Sequence, residues 1–284
     1  MKTIHNEQIN ETALNLCDIF GRIDDVEALL KLINSKSTIH NITRLYIGSY
    51  YCDHYYLYNL KKSNEKMIDY AKSNGLKITL VIPPLFEANL GKGIDRTRQL
   101  IAQNSSTIDE ITINDWGMAL CDFCESSIKI NMGRILQKDN RDPRYPNHFN
   151  VPHTHRCFTD FYNHLLSDNN ITGVELDCTN KAIIIPDNLS DIQISVHYPW
   201  AYISMSSICV FASATKAVNN KFRFANSCSC ECNNAIIRMN CGPDFTLYRI
   251  GRSVQFLNDD CKIISSVPFR CVYSPFDEII NKTI

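Results

Sequence analysis

Short runs of apolar residues alternate along the middle of the chain with segments that have the spacing and end signals of helices. Each apolar run is five to seven residues long, which is typical of buried strands. The predicted strands cover residues 44–48, 77–83, 110–114, 128–133, 171–177, 181–186 and 192–197. The predicted helices cover residues 63–75, 94–104, 115–126 and 158–170.

This alternation predicts an α/β fold, because continuous apolar strands separated by helices indicate parallel strands in βα units. Six or seven units in about 200 residues favour a (β/α) TIM-barrel-like domain, complete or with fewer than eight units. An open doubly wound sheet is the alternative. Residues 44–284 are predicted to form the barrel-like domain, and residues 1–43 a helical segment that packs on it, within a single domain overall.

The two ends of the chain have different patterns. Residues 11–34 have the spacing of one amphipathic helix or a helix pair. Beyond residue 200 the pattern becomes irregular, so an irregular, cysteine-containing C-terminal portion is expected. Within it, residues 246–256 predict a hairpin that turns at Gly251-Arg252, where glycine suits the first turn position.

Polar side chains follow the carboxyl ends of several predicted strands. Barrel enzymes carry their chemistry at this end, so these side chains are expected to gather at one rim. The alternative is that loops after strands are polar in any protein. The residues concerned are Cys52, Asn114, Asp115, Arg134, Glu175, Asp177 and His197.

Composition and charge narrow the class of protein. With 44% hydrophobic and 21% charged residues, the chain can bury a globular core. A net charge of −1 gives no overall attraction to nucleic acid or to a membrane surface. The sequence shows no secretory signal and no apolar stretch long enough to span a bilayer. A cytoplasmic protein with no membrane partner and no clear nucleic-acid partner is therefore expected.

The thirteen cysteines carry the strongest chemical signal. Without an export signal they indicate a reducing compartment, where thiols bind metal or stay free rather than form a disulfide framework. Cys228, Cys230 and Cys232 lie within five positions, and Cys209 lies 19 positions before them. Zinc and iron–sulfur sites need four soft ligands. Cys209, Cys228 and Cys232 supply three, Cys230 is a spare, and the fourth must come from elsewhere.

The remaining cysteines are interpreted as core residues, because a free cysteine packs as a small hydrophobe. Cys121 and Cys124 form a C-x-x-C motif inside an apolar helix pattern. Cys157 follows His153 and His155, and its alternative role is a thiol beside a base. The other core candidates are Cys17, Cys178, Cys241, Cys261 and Cys271.

Five motifs between roughly residues 40 and 257 occur in an order that resembles the peptidase U32 family of collagenase-like proteins. The motifs are "RLYIGSYYCDHYY" (44–56), "INDWG" (113–117), "NMGRILQKDNRDPR" (131–144), "HYPWAYISMSSICVFAS" (197–213) and "NSCSCECNN" (226–234). The chain is most similar to the small branch of the family that serves oxygen-independent ubiquinone synthesis. In that branch, a cysteine after the first barrel strand joins one later cysteine and a C-x-x-x-C pair around an iron–sulfur cluster.

The resemblance therefore implies a 4Fe-4S cluster on Cys52, Cys209, Cys228 and Cys232, with Cys230 as a substitute for one of the last two. Zinc is the alternative cofactor. The spacing between Cys209 and the pair is longer than the family pattern. If Cys52 does not belong to the set, zinc on the cysteine triplet plus a histidine becomes the first candidate.

For function, the resemblance implies oxygen-independent hydroxylation of a quinone-type substrate or an RNA base, with prephenate as the oxygen source. The alternatives are a non-catalytic cluster-binding partner of a second U32-family subunit and, third, a peptidase. Neither His-Glu-x-x-His nor Gly-x-Ser-x-Gly occurs in the sequence.

An anionic co-substrate such as prephenate would need cations, and arginine binds carboxylates bidentately. The long loop after the fourth predicted strand is rich in basic residues, although it can also be read as a solvated loop. The residues expected to bind substrate are Arg134, Arg141, Arg144, His197, Asn114 and Asp115. No catalytic residue is assigned.

Overall fold

Eight parallel strands close into a barrel in the computed structural model of this protein. The structure describes residues 8–19, 25–36, 41–121, 123, 127–137, 156–179, 182–189, 191–223, 228–241, 246–258 and 260–277. The strands in these ranges are β1 (Ile9–Asn15), β2 (Ile42–Gly48), β3 (Lys77–Ile82), β4 (Ile108–Ile113), β5 (Lys129–Met132), β6 (Ile171–Asp177), β7 (Ile183–Ile184), β8 (Gln193–Tyr198), β9 (Trp200–Met205), β10 (Ile236–Asn240), β11 (Thr246–Ile250), β12 (Ser253–Leu257), β13 (Ile263–Ile264) and β14 (Phe269–Tyr273).

Helices connect and cover these strands. The α-helices of the described residues are α1 (Val26–Lys36), α2 (Leu60–Ser73), α3 (Glu87–Asn104), α4 (Trp116–Ala119), α5 (Asp160–Asp168) and α6 (Val210–Ala214). A π-helical segment, Tyr55–Asn59, leads into α2, and short 3-10 turns include Arg134–Leu136 and Glu231–Asn234. No helix of the described ranges has the length and apolar character needed to cross a bilayer.

The order of strands around the barrel is β1-β2-β3-β4-β5-β6-β8-β14, and β14 pairs with β1 to close it. The predicted TIM-barrel-like fold is thus confirmed, and it is complete. A four-stranded antiparallel sheet, in the order β10-β11-β12-β9, is inserted between β8 and β14. The C-terminal portion is therefore more regular than predicted. The predicted hairpin is confirmed as β11 and β12, which turn at Gly251-Arg252.

Three element predictions were wrong in part. Residues 11–34 are not a helix throughout, because β1 is a barrel strand that pairs with β14 and β2 on its two sides. Only α1 confirms the helical pattern of that region. A strand was predicted over residues 181–186, but the strand observed there is the two-residue β7, which pairs with β13 outside the barrel. The predicted helix 115–126 is α4 alone among the residues described there.

Side chains of the barrel strands alternate between two buried environments. Those that face outward are apolar and pack in one continuous core, as Leu45, Leu80 and Ile111 do. Hydrogen bonds between strands that are not neighbours, such as Arg270 of β14 to Glu110 of β4, identify the inward side chains. The inward polar side chains include Arg44, Tyr46, Thr79, Glu110, Thr112, Asn131, Glu175, Asp177, Ser195, His197 and Arg270. The interior is therefore polar, unlike the branched aliphatic layers that fill most such barrels.

Candidate functional site

The turn after β2 places Cys52 at the carboxyl end of the barrel. Gly48 ends β2 with φ of +119°, and a Cβ at this position would overlap the Val81 carbonyl oxygen, so the turn requires glycine. The Ser49 hydroxyl then accepts a hydrogen bond from the Cys52 amide at 2.9 Å and donates to the Asp18 carboxylate at 2.5 Å. These bonds fix the backbone that carries the thiol.

Two segments of the insertion between β8 and β14 supply further thiols. Cys209 precedes α6, and its sulfur accepts a hydrogen bond from the Ala212 amide at 3.5 Å. Cys228, Cys230 and Cys232 lie at the start of the 3-10 turn Glu231–Asn234. Cys230 has φ of +61°, a left-handed conformation that is uncommon for a residue with a side chain. Its amide donates to the Cys228 sulfur at 3.3 Å, which keeps the triplet compact.

All five of these thiols line one pocket, the thiol pocket. Its lining residues are Cys52, Tyr55, Ser207, Cys209, Ala212, Ser213, Arg223, Cys228, Cys230, Cys232, Gly251 and Arg252. The structure thus brings together the four cysteines that the sequence singled out, together with the proposed substitute Cys230. Among the described residues, no group of three or more His, Cys, Asp or Glu side chains has an arrangement that could hold a metal ion.

The thiols of the pocket differ in acidity. Burial raises the pKa of Cys52 to about 12, and burial also raises the pKa of Cys232. A hydrogen bond from the Cys230 thiol lowers the pKa of Cys228 to about 7, and the same bond raises the pKa of Cys230. Metals bind thiolates rather than thiols, so Cys228 loses its proton more readily than Cys52, Cys230 or Cys232.

Arg252 forms a cationic side of the pocket that sequence reasoning missed. Its Nη1 donates to Asp53 Oδ1 at 2.7 Å, and the Asp53 carboxylate is buried. The other carboxylate oxygen, Oδ2, accepts from Asn89 Nδ2 at 2.7 Å. The sequence places Arg252 in a hairpin turn, but nothing in it links that turn to Asp53, 199 positions away.

Arg134 lies inside the mouth of the barrel and not in the thiol pocket. Its side chain is fully buried, and Nη1 donates to Asp177 Oδ1 at 2.9 Å. Its guanidinium carbon lies 4.5 Å from the centroid of the Tyr50 ring, and Nη2 donates to the Tyr51 hydroxyl. Arg134 therefore does not line the thiol pocket, and its expected role in substrate binding stays a prediction.

Below Arg134, three side chains form a buried acid–base cluster. The Tyr50 hydroxyl donates to Glu175 Oε2 at 2.8 Å and lies 3.1 Å from His197 Nε2. His197 Nε2 is 3.2 Å from the same carboxylate oxygen. Burial and the charge of Arg134 lower the pKa of His197, so its imidazole is neutral at pH 7. Within the described chain, His197 Nδ1 has no hydrogen-bond partner.

Asn114 and Asp115 make structural contacts at the ends of β4 and α4. Asn114 is buried, and its amide nitrogen donates to the Ile82 carbonyl at 3.0 Å. A Cβ on Gly133 would overlap the Asn114 side chain, so these two loops pack closely. Asp115 caps α4, because its Oδ1 accepts from the Gly117 amide at 2.8 Å. These contacts give both residues a structural role, and the substrate-binding role expected for them stays a prediction.

Several predicted residues lie outside the described ranges. Arg141 and Arg144 are among them, and so is Cys124. Cys157 is described and is buried, but the two histidines expected beside it are not described.

Two cysteines that were interpreted as free core residues are bonded to each other. Cys178, directly after β6, forms a disulfide with Cys261, and their Cα atoms are 5.5 Å apart. That separation lies in the usual range for a disulfide. The bond ties the insertion to the carboxyl end of β6, across 83 positions of sequence. The free-thiol interpretation is therefore wrong for this pair.

No family model, no curated protein and no solved structure matches this chain.

Proposed function

We propose that the chain is an iron–sulfur protein of the kind the sequence resembles, with a 4Fe-4S cluster bound in the thiol pocket by Cys52, Cys209, Cys228 and Cys232. The observation that carries the proposal is that Cys52, on the barrel, lines the same pocket as the four thiols of the insertion. A site built from thiols alone suits zinc or an iron–sulfur cluster, and a cluster would supply electron transfer.

The chemical type of the donors suits such a group, since all of them are thiols. Five thiols are available for four positions, so Cys230 can replace Cys228 or Cys232. The turn around Ser49 fixes the backbone of Cys52, and the N-terminus of α6 fixes that of Cys209. Cys228, with its pKa of about 7, is the thiol most readily ionised before metal binds.

The reaction proposed is oxygen-independent hydroxylation of a quinone-type substrate or an RNA base, with an anionic co-substrate such as prephenate. Arg141 and Arg144 are the cations proposed to bind that anion, since Arg134 is already paired with Asp177.

A second candidate function is a non-catalytic, cluster-binding subunit that works with another U32-family protein. The filled barrel mouth favours it. Glu175 and His197 lie where barrel enzymes carry their chemistry, yet both side chains are fully buried below Arg134. Turnover by the isolated chain would establish the enzyme, and activity only after addition of a second subunit would establish the partner.

Anaerobic purification with iron, sulfide and zinc analysis tests the cofactor. The expected result is about four irons per chain and a brown protein. Cys52→Ser should lose most of the iron and the colour, because it removes the only barrel ligand in the proposed set.

Cys241→Ser is the matched control, since Cys241 is exposed and does not line the pocket. It should keep the iron content of the wild type. A full iron content in Cys52→Ser would overturn the ligand set, and zinc without iron in the wild type would favour the zinc site.

A further inference from the structure

Arg252 is held against the thiol pocket by the backbone of its own turn. It follows Gly251, whose φ of +57° completes the tight turn between β11 and β12. Its carbonyl oxygen accepts a hydrogen bond from the Ser206 amide at 2.9 Å, which ties the turn to the segment after β9. The position of this side chain is therefore set by the inserted sheet and not by a long loop.

One edge of the guanidinium group is fixed by Asp53. Besides Arg252 Nη1, Asp53 accepts from Asn89 Nδ2 at 2.7 Å and from the His54 amide at 2.8 Å. The guanidinium carbon also lies 5.6 Å from the centroid of the Phe86 ring. A buried carboxylate with three donors does not move easily, so the arginine has a rigid anchor.

The Nε edge of the guanidinium group has no hydrogen-bond acceptor among the described residues. Arg252 Nε is buried, and no atom of the described residues accepts a hydrogen bond from it. A buried donor left without a partner is destabilising, so such a donor in a pocket wall indicates a partner supplied by a ligand.

The charge of the pocket indicates what that partner is. Four thiolates around a dipositive zinc ion or oxidised 4Fe-4S core carry a net charge of roughly −2. Among the described lining residues, the cations are Arg223 and Arg252. Arg223 is exposed and screened by water and salt, whereas the side chain of Arg252 is only 11% exposed. Arg252 should therefore provide most of the stabilising charge.

We propose that Arg252 is a positioning residue of the thiol pocket, which donates a hydrogen bond from Nε to a sulfur of the bound metal group and offsets its negative charge. Asp53 holds the guanidinium in place for this contact. The proposal rests on the metal-binding part of the proposed function. It goes further by assigning control of the reduction potential, or of the metal affinity, to a residue that is not a ligand.

The test compares the reduction potentials of iron-loaded variants by anaerobic redox titration with a visible or electron paramagnetic resonance readout. Reduction adds negative charge, so loss of a nearby cation should make it harder. Arg252→Gln should lower the equilibrium constant for reduction by about tenfold or more, as expected for a hydrogen bond to a charged group. Arg252→Lys keeps the charge but not the fork of donors, and it should give an intermediate shift.

Arg223→Gln is the matched control, because it removes the same charge from the exposed edge of the same pocket. Its shift should stay below about threefold. Arg252→Lys is also the second variant if Arg252→Gln binds no metal, because it removes the donor at Nε and keeps the positive charge. If the wild type binds zinc instead, the zinc dissociation constant should rise about tenfold in Arg252→Gln and stay near wild type in Arg223→Gln.

The outcomes separate this inference from the function on which it rests. A wild-type chain that binds neither iron nor zinc overturns both. A metal-loaded chain in which Arg252→Gln shifts the potential or affinity no more than Arg223→Gln overturns only the role of Arg252. Where Arg252→Gln cannot be loaded, a potential or affinity in Arg252→Lys equal to that of the wild type overturns the hydrogen bond from Nε.

Discussion

The two ends of the barrel interior both bury charged side chains, but they pair them in different ways. At the amino-terminal end, Arg270 donates to both oxygens of Glu110, at 2.8 and 2.9 Å. Arg44 donates to Asp109 at 2.6 Å and to Glu11 at 2.8 Å, and Glu11 also accepts from Arg270 at 2.6 Å. Each charged group at this end therefore meets at least one group of opposite charge.

At the carboxyl-terminal end, fewer charged side chains form ion pairs, and a carboxylate accepts hydrogen bonds from neutral groups instead. Arg134 and Asp177 form one ion pair there. Glu175 instead accepts hydrogen bonds from the hydroxyl groups of Thr112 at 2.6 Å and Tyr50 at 2.8 Å. A carboxylate held by neutral donors has less to stabilise its charge than one held by arginine.

The pKa values of one buried carboxyl group at each end, Glu110 and Asp18, differ in direction. Although burial alone would raise the pKa of Glu110, hydrogen bonds and charge from Arg270, with the charge of Arg44, lower it to about 2. Burial raises the pKa of Asp18, at the other end, to about 6 despite hydrogen bonds from Ser49 and the Tyr50 amide. The amino-terminal end thus has fixed charges that serve structure. At the carboxyl-terminal end, the raised pKa of Asp18 brings one buried carboxyl group closer to neutral pH, a property that clusters at functional sites.

The largest effect is expected from the amino-terminal end. Arg270→Met should lower the free energy of unfolding by about 3–5 kcal/mol, because it leaves Glu110 buried with only part of its compensating charge. Urea unfolding at pH 7 measures this. Arg238→Met makes the same change on the exposed face of β10 and should stay within about 0.5 kcal/mol of the wild type. Equal losses in the two variants would show that the network is not structural.

The contrast between the two ends was only partly predictable from the sequence. In "ITGVELD" the outward Val174 and Leu176 indicate a buried strand, and the strand prediction was correct. Glu175 and Asp177 alternate with them and face inward. Because the segment was interpreted as one continuous apolar strand, this alternation of apolar and acidic positions was not recognised. Arg134 and Asp177 end neighbouring strands, β5 and β6, so their pairing could have been inferred once a parallel barrel was assumed.

Other features depended on contacts that the sequence does not encode locally. β1 and β14 close the barrel only by pairing with each other, and their registry joins residues about 260 positions apart, such as Ile9 and Phe269. The cysteine triplet is local and was visible as a motif, whereas Arg252 lines the pocket because the inserted sheet places its turn beside Asp53 on the barrel. Local patterns thus predicted most of the strands and the cysteine motif, whereas barrel closure by β1 and β14 and the pairing of Arg252 with Asp53 depend on residues far apart in the sequence.

A smaller effect, set by pH, is expected at the carboxyl-terminal end. The pKa of Asp18 is about 6 in the folded chain and 3.8 when unperturbed, so the folded state keeps a proton that the unfolded state has lost between these values. This group therefore destabilises the fold at pH 7, by at most about 3 kcal/mol, and the cost disappears as pH falls from 6 to 4.

Urea unfolding of the wild type and Asp18→Asn at pH 7, 6, 5 and 4 measures this contribution. The difference between the two proteins should move by about 2–3 kcal/mol in favour of the wild type as the pH falls. His197 acts in the opposite direction, because burial lowers its pKa in the fold, but it is present in both proteins and cancels. Parallel curves for the two proteins would contradict the raised pKa.

The smallest expected change in unfolding free energy comes from removing one buried hydroxyl group at each end. Thr112 and Thr79 are both fully buried, and each donates to a buried carboxylate: Thr112 to Glu175 at 2.6 Å and Thr79 to Glu110 at 2.9 Å. Valine has nearly the same shape as threonine, so each substitution removes a hydroxyl without opening a large cavity. Thr112→Val should cost about 2 kcal/mol of unfolding free energy, because Glu175 Oε1 then has no described donor. Thr79→Val should cost about 1 kcal/mol, because the arginines still hold Glu110. Arg44 loses Thr79 as an acceptor at 3.2 Å but keeps Asp109 and Glu11. Urea unfolding of both variants at pH 7 checks the order. A larger loss for Thr79→Val would mean that charge pairing does not compensate for a lost hydroxyl, and the distinction drawn between the two ends would fail.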